Sequence, residues 1–552
     1  MLLIKAKLVS SAKRFDLRPH FRGLQGVAIL VTSSSSDPQS DVIAFLSSPA
    51  SYPGKIPEVT RVETHAAIVF LAGGRAYKLK RAVKLPYLDF TAPGKRHHVL
   101  LHELEINSKV SPELYIEVVP ITRDAGSGKL SLGGTAEAVD WVLVMRRFGE
   151  HCLFDRIASR GPLADQHLEE LSNAIEHFHR QAVPSYAGSW AKALSDIADD
   201  LEDSLTTSEA ASAGLELKPY IAHLRQELLT QGPLIEARRQ AGFVRQCHGD
   251  LHLGNIVLWQ GKARLFDAIE FDDALATIDV LYDLAFLLMD LWNRGRKREA
   301  NAIFNHAMRF AAISEVEAVA LLPLYLSLRA GIRAMTGVHS LPFRQGEERE
   351  RTLKEIRRYA ALAEDLLRPR PALLIAIGGL SGTGKTTVAR EIVPLVGAPP
   401  GALHLRTDIE RKVMLGAGYD TRLPSSGYNA ETSEQVYQRV FKKAEIALDA
   451  GHSVVADAVF PDQVLRDRTR ETAERAGASF FGFWLEAPPE QMCKRVSARI
   501  GDASDADAEI VARQLKTIPS STGWLRIDAS GPAGEAAGKI MRQLKLQQDW
   551  RD

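Results

Sequence analysis

A chain of 552 residues exceeds what one hydrophobic core supports, since single cores stop growing near ~250–300 residues, so two or three domains are expected. Hydrophobic residues make up 45% and charged residues 25% of the sequence, which excludes a disordered or fibrous protein. The 69 lysine and arginine residues balance 68 acidic residues, so the net charge of +1 gives no sequence-wide reason to expect nucleic acid or an anionic membrane as a partner.

The cysteines and the apolar runs indicate the compartment. Cys152, Cys247 and Cys493 lie far apart and form no CxxC or Cys/His pattern. We therefore expect free thiols, which are typical of a reducing cytoplasm, and no cysteine metal site. Membrane insertion is not expected, because even the apolar run Val280–Trp292 is shorter than the ~20 residues that cross a bilayer and carries two aspartates.

The first elements predict a small lobe built around a sheet. Residues 1–42 are basic and rich in serine, and we expect them to form a poorly ordered extension. Residues 61–70 and 75–79 alternate around two glycines, which predicts a β-hairpin. Residues 95–110 have helical spacing, and residues 141–145 form a short apolar strand.

The next elements predict a helical lobe and then a break. Helical patterns cover residues 153–182, 215–239 and 276–367. The pattern stops at Arg368-Pro-Arg-Pro371, because closely spaced prolines remove backbone donors and exclude a helix. We therefore expect a first domain over residues 43–367, followed by a linker at 368–371.

Beyond this linker the pattern becomes that of an α/β fold. Apolar runs at residues 372–377, 453–456 and 479–485 are typical of buried parallel strands, and helical stretches separate them. Residues 372–552 are therefore predicted to form a domain with a parallel sheet.

The most informative stretch of the first domain is His248-Gly-Asp-Leu-His-Leu-Gly-Asn255, which Leu265-Phe-Asp267 follows. Phosphoryl transfer needs an aspartate that orients the acceptor hydroxyl or takes its proton, and an asparagine and a second aspartate that hold Mg²⁺ on the phosphates. Asp250, Asn255 and Asp267 fill these three roles. A surface turn is the alternative, because Gly, Asp and Asn favour turns, but the spacing and order of the motifs favour catalysis.

This loop resembles the catalytic loop of aminoglycoside phosphotransferases and choline-type kinases, and the resemblance covers residues 43–367. It implies an α+β protein-kinase-like fold of two lobes that binds ATP. It also implies a phosphate-pairing lysine on the third strand, here Lys78, and an ion-pair partner on the next helix, here Glu103. Lys80 and Glu105 are their alternatives. A GxGxxG loop is missing before the lysine, which argues against a protein substrate.

Five further carboxylates follow Asp267 within the next 16 residues. Asp279 and Asp283 are similar to family aspartates that brace the catalytic loop, so a structural role is expected. Glu270, Asp272 and Asp273 carry negative charge that would attract a cationic acceptor, but a solvated acidic turn explains them more simply.

The second domain contains Gly379-Leu-Ser-Gly-Thr-Gly-Lys-Thr386, a complete Walker A motif between an apolar strand and a helical stretch. In such a loop, backbone N–H groups surround the β-phosphate, Lys385 neutralises phosphate charge, and the Thr386 hydroxyl reaches Mg²⁺. The predicted nucleotide-binding residues are Gly379, Ser381, Gly382, Thr383, Gly384, Lys385, Thr386 and Thr387.

Two further motifs indicate transfer of the phosphate. Asp457 ends a buried strand, as in a Walker B motif, and is the predicted second Mg²⁺ ligand. Ala458 follows where a mechanical ATPase usually has a water-activating glutamate, which favours transfer over hydrolysis. Asp408 and Arg411 lie one helical turn apart, so one can act as base for the acceptor hydroxyl while the other holds an anionic group of the same acceptor.

From residue 372 to about 540 the chain resembles the adenylate-kinase-like group that includes gluconate, shikimate and polynucleotide 5′-hydroxyl kinases. The resemblance implies a lid helix over residues 489–499, whose Arg495 and Arg499 would close over the γ-phosphate, with Arg513 as a third candidate. A basic solvent-facing helix is the alternative. The order of the two motifs resembles that of bacterial bifunctional aminoglycoside-phosphotransferase-family and ATP-binding proteins.

These observations predict a bifunctional phosphotransferase that uses ATP and Mg²⁺ to phosphorylate hydroxyl groups of small-molecule acceptors in the cytoplasm. They leave the acceptors and the oligomeric state open. One alternative is a regulatory protein in which one or both domains bind ATP without transferring phosphate. Another is a nucleic-acid 5′-hydroxyl kinase in the second domain, which the charge balance disfavours.

Overall fold

The computed structural model describes residues 38–64, 66–85, 88–215, 217–498, 503–517 and 523–548. These residues pack into two compact units. Unit 1 comprises the described residues up to Leu287 together with Ser327–Glu364, and unit 2 comprises Leu288–Leu326 together with the described residues from Asp365 onward. Most of the predicted extension 1–42 lies outside the described residues.

The first lobe of unit 1 is built on an antiparallel sheet. Its strands are β1 (Val59–Glu63), β2 (Ala67–Ala72), β3 (Arg75–Lys80), β4 (Lys84–Leu85), β5 (Leu88–Asp89), β6 (Tyr115–Arg123), β7 (Leu130–Leu132) and β8 (Glu137–Arg146). Its helices are α1 (Ser40–Ser47) and α2 (Pro93–Ser108). Six strands form one sheet in the order β1-β2-β3-β8-β6-β7, and β4 pairs with β5.

The predicted hairpin is present, since β2 and β3 pair from Ala72 opposite Arg75. The predicted strand over residues 61–70 is instead divided between β1 and β2. Thr64 explains the division, because its hydroxyl accepts the N–H of Ala67 and donates to the carbonyl of the same residue, both at 2.9 Å. A side chain that forms hydrogen bonds with the backbone three residues later favours a turn over a continuous strand.

The last residues of the predicted extension belong to the folded unit. Gln39 is buried and donates its side-chain amide to Asp140 at 2.6 Å and to the carbonyl of Lys80 at 3.0 Å. Val42 and Leu46 of α1 are buried in the core on one face of the sheet. The expectation of poor order therefore does not hold for residues 39–42, because α1 has an apolar face that the sheet covers.

The second lobe of unit 1 is mostly helical, as predicted. Its short strands are β9 (Val244–Gln246), β10 (Ile256–Trp259), β11 (Lys262–Leu265) and β12 (Thr277–Asp279), which pair as β10-β11 and β9-β12. The helices that follow α2 as far as residue 367 are α3 (Phe154–Arg160), α4 (Asp165–Gln181), α5 (Trp190–Leu205), α6 (Ser208–Ser212), α7 (Lys218–Gln240), α8 (Asp273–Ala276), α9 (Val280–Asn293), α10 (Lys297–Met308), α11 (Leu322–Ser340) and α12 (Gly346–Leu367). Of these, α10 lies wholly within unit 2.

Unit 2 is built on a five-stranded parallel sheet in the order β14-β15-β13-β16-β17, from β13 (Leu373–Gly379), β14 (Leu403–Arg406), β15 (Val454–Asp457), β16 (Ser479–Glu486) and β17 (Leu525–Asp528). The helices after residue 372 are α13 (Lys385–Ile392), α14 (Thr407–Met414), α15 (Ala430–Asp449), α16 (Gln463–Arg475), α17 (Pro489–Ser497), α18 (Ala508–Thr517) and α19 (Ala533–Gln548). Every residue of β13 is buried, as expected of a central parallel strand with helices on both faces. The predicted fold class, a protein-kinase-like unit of two lobes followed by an α/β P-loop unit, is confirmed.

Residues 288–326, which the sequence placed in the first domain, pack in unit 2. Asn301 on α10 shows why, because its side-chain amide donates to the carbonyls of Pro400 and Ala402, both at 3.1 Å. These bonds, with a further one from Asn305 to the carbonyl of Ala402 at 3.1 Å, satisfy buried backbone acceptors before β14. A helical pattern in the sequence carries no sign of which unit the helix packs against.

The segment Ile313–Phe343 meets the length and hydropathy expected of a membrane-crossing helix. Within it, 83% of the most apolar window is buried inside the protein. Packing within the fold therefore accounts for its apolar character.

Candidate active sites

The site in unit 1 begins with an ion pair between β3 and α2. Lys78 Nζ lies 2.5 Å from Glu103 Oε1 and 2.8 Å from Asp267 Oδ1, and all three residues are buried. Burial alone lowers the pKa of Lys78, but the charges of Asp267 and Glu103 outweigh it and hold that pKa well above its usual value. The structure thus brings the predicted pair together and keeps the ammonium charged.

A second lysine shares the same glutamate. Lys80 Nζ lies 2.7 Å from Glu103 Oε2 and 2.6 Å from Glu270 Oε1, and the side chains of Lys80 and Glu270 are each only 2% exposed. Lys80 therefore adds to Lys78 instead of replacing it. Glu105, the alternative partner, is exposed and pairs with Lys109 at 3.3 Å. The expectation that Glu270 belongs to a solvated turn is wrong, because the residue is buried against a lysine.

Asp250 and Asn255 lie together in the catalytic loop. The side-chain amide of Asn255 donates to the Asp250 carbonyl oxygen and to Asp250 Oδ2, both at 2.9 Å. The remaining oxygens, Asp250 Oδ1 and Asn255 Oδ1, are buried and accept no hydrogen bond from the described residues. Buried oxygens without donors call for a ligand or ion, and these two suit an acceptor hydroxyl and Mg²⁺.

Asp267 occupies a strained backbone position. Its φ of 63° is in the left-handed region, which costs a non-glycine residue on the order of 1–3 kcal/mol. Two hydrogen bonds hold the segment there, since the Asp267 N–H donates to the hydroxyl of Tyr115 at 2.9 Å and the Ala268 N–H donates to Asn107 Oδ1 at 3.0 Å. The residue predicted to hold Mg²⁺ is therefore fixed by β6 and α2.

Asp283 accepts hydrogen bonds from the catalytic loop, in agreement with the structural role expected for it. Its two oxygens accept the N–H groups of His248 at 3.2 Å and Gly249 at 2.9 Å, and His179 Nε2 lies 2.9 Å away. Burial raises the pKa of Asp283, but hydrogen bonding and charge from His179 outweigh it and lower that pKa below its usual value. Asp279 instead accepts two hydrogen bonds from the buried Arg238, at 2.6 and 2.7 Å.

The phosphate-binding loop of unit 2 follows β13 and leads into α13. Gly379 has a φ of 140° and Gly382 a φ of 84°. A Cβ on Gly379 would lie 2.7 Å from the carbonyl of Leu485, and one on Gly382 would lie 2.5 Å from the carbonyl of Met492. The loop therefore needs glycine at both positions to bring its N–H groups round a phosphate.

Lys385 and Thr386, the last two residues of the Walker A motif, make side-chain hydrogen bonds near the loop. Lys385 Nζ donates to the carbonyls of Gly379 at 2.8 Å and Leu380 at 3.0 Å. The Thr386 hydroxyl donates to Asp457 Oδ2 at 2.6 Å, so the two predicted Mg²⁺ ligands are in contact. Oxygen donors of this kind suit Mg²⁺.

Asp457 is surrounded by basic groups. His404 Nε2 lies 3.6 Å and Arg406 Nε 3.7 Å from its Oδ2 atom. Burial raises the pKa of Asp457, but the nearby imidazole of His404 and the charges of Arg406 and Lys385 outweigh it and hold that pKa far below its usual value. Asp457 is therefore an ionised carboxylate at neutral pH.

The pKa of Asp408 is shifted upward, in contrast to that of Asp457. Burial raises the pKa of Asp408, and the charge of Asp457 adds to the rise, while Arg406, Lys385 and a hydrogen bond with Ser504 oppose it. A carboxylate with a raised pKa is a stronger base, as a proton acceptor needs to be. The pKa values of the two aspartates are thus shifted in opposite directions, although the charge of Lys385 acts on both.

This difference predicts a pH dependence. A base must be ionised, so we expect kcat of unit 2 to fall as pH decreases through the raised pKa of Asp408, above the range usual for aspartate. The test is a pH profile of phosphoryl transfer by a chain carrying Asp250→Asn, in which unit 1 is silent. If the residual rate of Asp408→Asn in that chain keeps the same acidic limb, the assignment of the base is wrong.

Arg411 anchors a turn. It is buried, donates to the carbonyl of Gly427 at 2.8 Å, and places its guanidinium 4.8 Å from the ring centre of Tyr428. The Tyr428 hydroxyl in turn donates to Asp505 Oδ2 at 2.6 Å. The Nε atom of Arg411 is buried and makes no hydrogen bond with the described residues, so one donor stays available for an acceptor.

The predicted lid arginines have different surroundings. Arg495 donates to the carbonyls of Thr383 at 3.2 Å and Ala529 at 3.0 Å, so it joins the phosphate-binding loop to the segment after β17. Arg499 lies outside the described residues, and Arg513 is exposed. The side-chain oxygen of the neighbouring Gln514, a residue that no sequence motif singles out, accepts the N–H of Ser381 at 2.8 Å.

Comparison with known proteins agrees with this architecture. Residues 374–520 match the family model described as an AAA domain. An uncharacterised protein of Mycobacterium tuberculosis strain H37Rv is 28% identical over 494 residues, which cover 86% of this chain and 93% of that protein. An adenylyl-sulfate kinase of Myxococcus xanthus is 28% identical over 123 residues, 22% of this chain and 62% of that enzyme.

A solved choline/ethanolamine kinase family protein of Mesorhizobium loti is similar at 14% identity with a TM-score of 0.34, and the match covers 59% of this chain and 99% of that one. The AAA-domain match and the two folds indicate a kinase-like, ATP-binding protein.

Proposed function

We propose that this protein is a bifunctional, cytoplasmic phosphotransferase in which each unit transfers the γ-phosphate of ATP to a hydroxyl group of a small-molecule acceptor. One observation supports the proposal: each unit contains a lysine, two oxygen-bearing side chains and an aspartate that would serve for phosphate charge, Mg²⁺ and the acceptor respectively. In unit 1 these are Lys78, Asn255, Asp267 and Asp250, and in unit 2 they are Lys385, Thr386, Asp457 and Asp408.

In unit 1, bound ATP with Mg²⁺ on its phosphates would supply the phosphoryl group. Lys78 would hold phosphate oxygens while Asn255 Oδ1 and Asp267 hold the metal ion. Asp250 Oδ1 would take the proton of the acceptor hydroxyl as the acceptor oxygen attacks the γ-phosphorus, whose bond to the bridging oxygen breaks to release ADP. Asn255 keeps the other oxygen of Asp250 in place through its bond of 2.9 Å, so the base is oriented before the acceptor arrives.

In unit 2, the N–H groups of the phosphate-binding loop and Lys385 would hold the β- and γ-phosphates, and Thr386 and Asp457 would hold Mg²⁺. Asp408 would take the hydroxyl proton. The Nε donor of Arg411 would bind an anionic group on the same acceptor, because a charged donor that is buried without a partner favours an anion.

Transfer of labelled phosphate from ATP into a metabolite extract tests the proposal. We expect labelled small molecules with the wild-type chain, one set missing with Asp250→Asn and a different set missing with Asp408→Asn. A chain that binds ATP but labels no small molecule would support the regulatory alternative and contradict the proposal. Label on nucleic-acid 5′ ends alone would contradict the acceptor class of unit 2.

A further inference from the structure

Five charged side chains of unit 1 form a continuous series of ion pairs with alternating sign, which we call the charge network. In order along the series, the members are Asp267, Lys78, Glu103, Lys80 and Glu270, with successive N···O distances of 2.8, 2.5, 2.7 and 2.6 Å. All five residues are buried. The two ends are three positions apart in the sequence, so the ion pairs close a ring through the backbone of residues 267–270.

The ring joins three elements. Strand β3 supplies both lysines, α2 supplies Glu103, and the segment after β11 supplies both terminal carboxylates. Lys78 and Lys80 are two positions apart on one strand, so their side chains leave the same face of the sheet. Glu103 therefore lies between two positive charges: its Oε1 atom accepts a hydrogen bond from Lys78 at 2.5 Å, and its Oε2 atom forms an ion pair with Lys80 at 2.7 Å without hydrogen-bond geometry.

Nucleotide binding would open one link of this ring. Under the proposed function of unit 1, on which this inference rests, Lys78 turns to the phosphates and Asp267 turns to Mg²⁺. The pair of 2.8 Å between these two residues would then be lost. The pair between Lys80 and Glu270 involves neither phosphate nor metal ligand, so it can persist and keep the segment after β11 attached to β3.

We propose that Lys80 and Glu270 are positioning residues of the nucleotide site in unit 1. Their ion pair holds residues 267–270 and Glu103 against β3 while Lys78 and Asp267 engage the nucleotide. Without it, the loop that carries the metal ligand loses an ion pair of 2.6 Å to the strand that carries the phosphate-binding lysine. The effect should therefore be greatest for ATP bound together with Mg²⁺.

Calorimetric titration of the full chain carrying Lys385→Ala, in which the site of unit 2 is disabled, tests this proposal. Adding Glu270→Gln, which preserves shape but removes the charge, should weaken Mg²⁺–ATP binding on the order of tenfold to a hundredfold, as for outer partners of metal ligands. ATP binding without Mg²⁺ should change less. Lys80→Met should also weaken Mg²⁺–ATP binding. The double variant should bind Mg²⁺–ATP about as tightly as the single variant with the lower affinity, because both substitutions remove the same ion pair.

Matched variants separate positioning from stability. Lys95→Met removes a lysine from an exposed pair of 2.5 Å with Asp89, and it should leave Mg²⁺–ATP binding unchanged. Lys80→Arg keeps the charge and should bind more tightly than Lys80→Met. Because Glu270→Gln is nearly isosteric, it decides the question even if Lys80→Met does not fold.

Two results would count against the account in different ways. If Glu270→Gln lowers the thermal midpoint but binds Mg²⁺–ATP as its parent does well below that midpoint, the pair is merely structural and the inference is overturned. If the Lys385→Ala parent itself binds no Mg²⁺–ATP, the proposed function of unit 1 fails, whatever the variants do.

Discussion

Replacing Asp250 with asparagine is expected to lower phosphoryl transfer by unit 1 on the order of 10²–10⁴-fold, the usual contribution of a general base, and to leave ATP affinity within about threefold. The substitution keeps the size of the side chain, and its amide oxygen can still accept the bond of 2.9 Å from Asn255. The group that faces the acceptor then becomes an amide, which cannot take a proton. Binding of ATP survives because Lys78 and Asp267 are unchanged.

The measurement is label transfer into the metabolite extract by Lys385→Ala chains with and without Asp250→Asn, together with ATP titration of both. Asp199→Asn is the matched control, because it removes a carboxylate from an exposed pair of 2.8 Å with Arg225 and should change neither quantity. Transfer at the parent rate by the Asp250→Asn chain would refute the assignment of the base.

Lys385→Ala is expected to weaken ATP binding at unit 2 on the order of 10²–10⁴-fold. In the structure its ammonium donates to two backbone carbonyls of the phosphate-binding loop, Gly379 and Leu380. With ATP bound, these donors would exchange the carbonyls for phosphate oxygens. Two charge-assisted hydrogen bonds at ~1.5–3 kcal/mol each amount to about 3–6 kcal/mol, or about 10²–10⁴ in affinity.

A lysine elsewhere in unit 2 supplies the control for this variant. Lys442 lies on α15 in an exposed pair of 2.9 Å with Glu445, so Lys442→Ala should leave ATP affinity unchanged. Lys385→Arg should restore part of the affinity, because it keeps the charge but changes the geometry of the donors. Equal ATP affinity of Lys385→Ala and the wild-type chain at unit 2 would contradict the assignment of this loop.

The sequence predicted best the features that depend on contiguous residues. The phosphate-binding loop and the Asp250–Asn255 segment could be recognised because their chemistry fixes residue types at fixed spacings. The structure places Thr386 against Asp457, and Asn255 against Asp250, as those motifs require. The elements around them follow from hydrophobic periodicity, since β13 is a buried apolar run.

Contacts between distant positions could not be predicted in the same way. Lys80 and Glu270 are 190 positions apart, and a lysine or a glutamate alone is most often a solvated surface residue. The sequence signal that bears on Glu270 is its position three residues after Asp267, which places it close to the site but does not supply its partner. Likewise, nothing local shows that Gln514 reaches the N–H of Ser381.

The unit to which a helical segment belongs could not be predicted from the sequence either. Residues 288–326 have the same helical periodicity as their neighbours, yet they belong to unit 2. The side chain of Asn301, which binds the carbonyls of Pro400 and Ala402, is one of the contacts that hold α10 there. Hydrogen bonds of this kind depend on the tertiary fold, which a periodic pattern does not encode.

Calorimetric titration of the full chain with Mg²⁺–ATP should show two binding sites in the wild-type chain, one site in Lys385→Ala, one site in Lys78→Met, and none in the double variant, because each lysine serves a separate nucleotide site. A single site in the wild-type chain, or loss of both sites in either single variant, would contradict the assignment of two nucleotide sites.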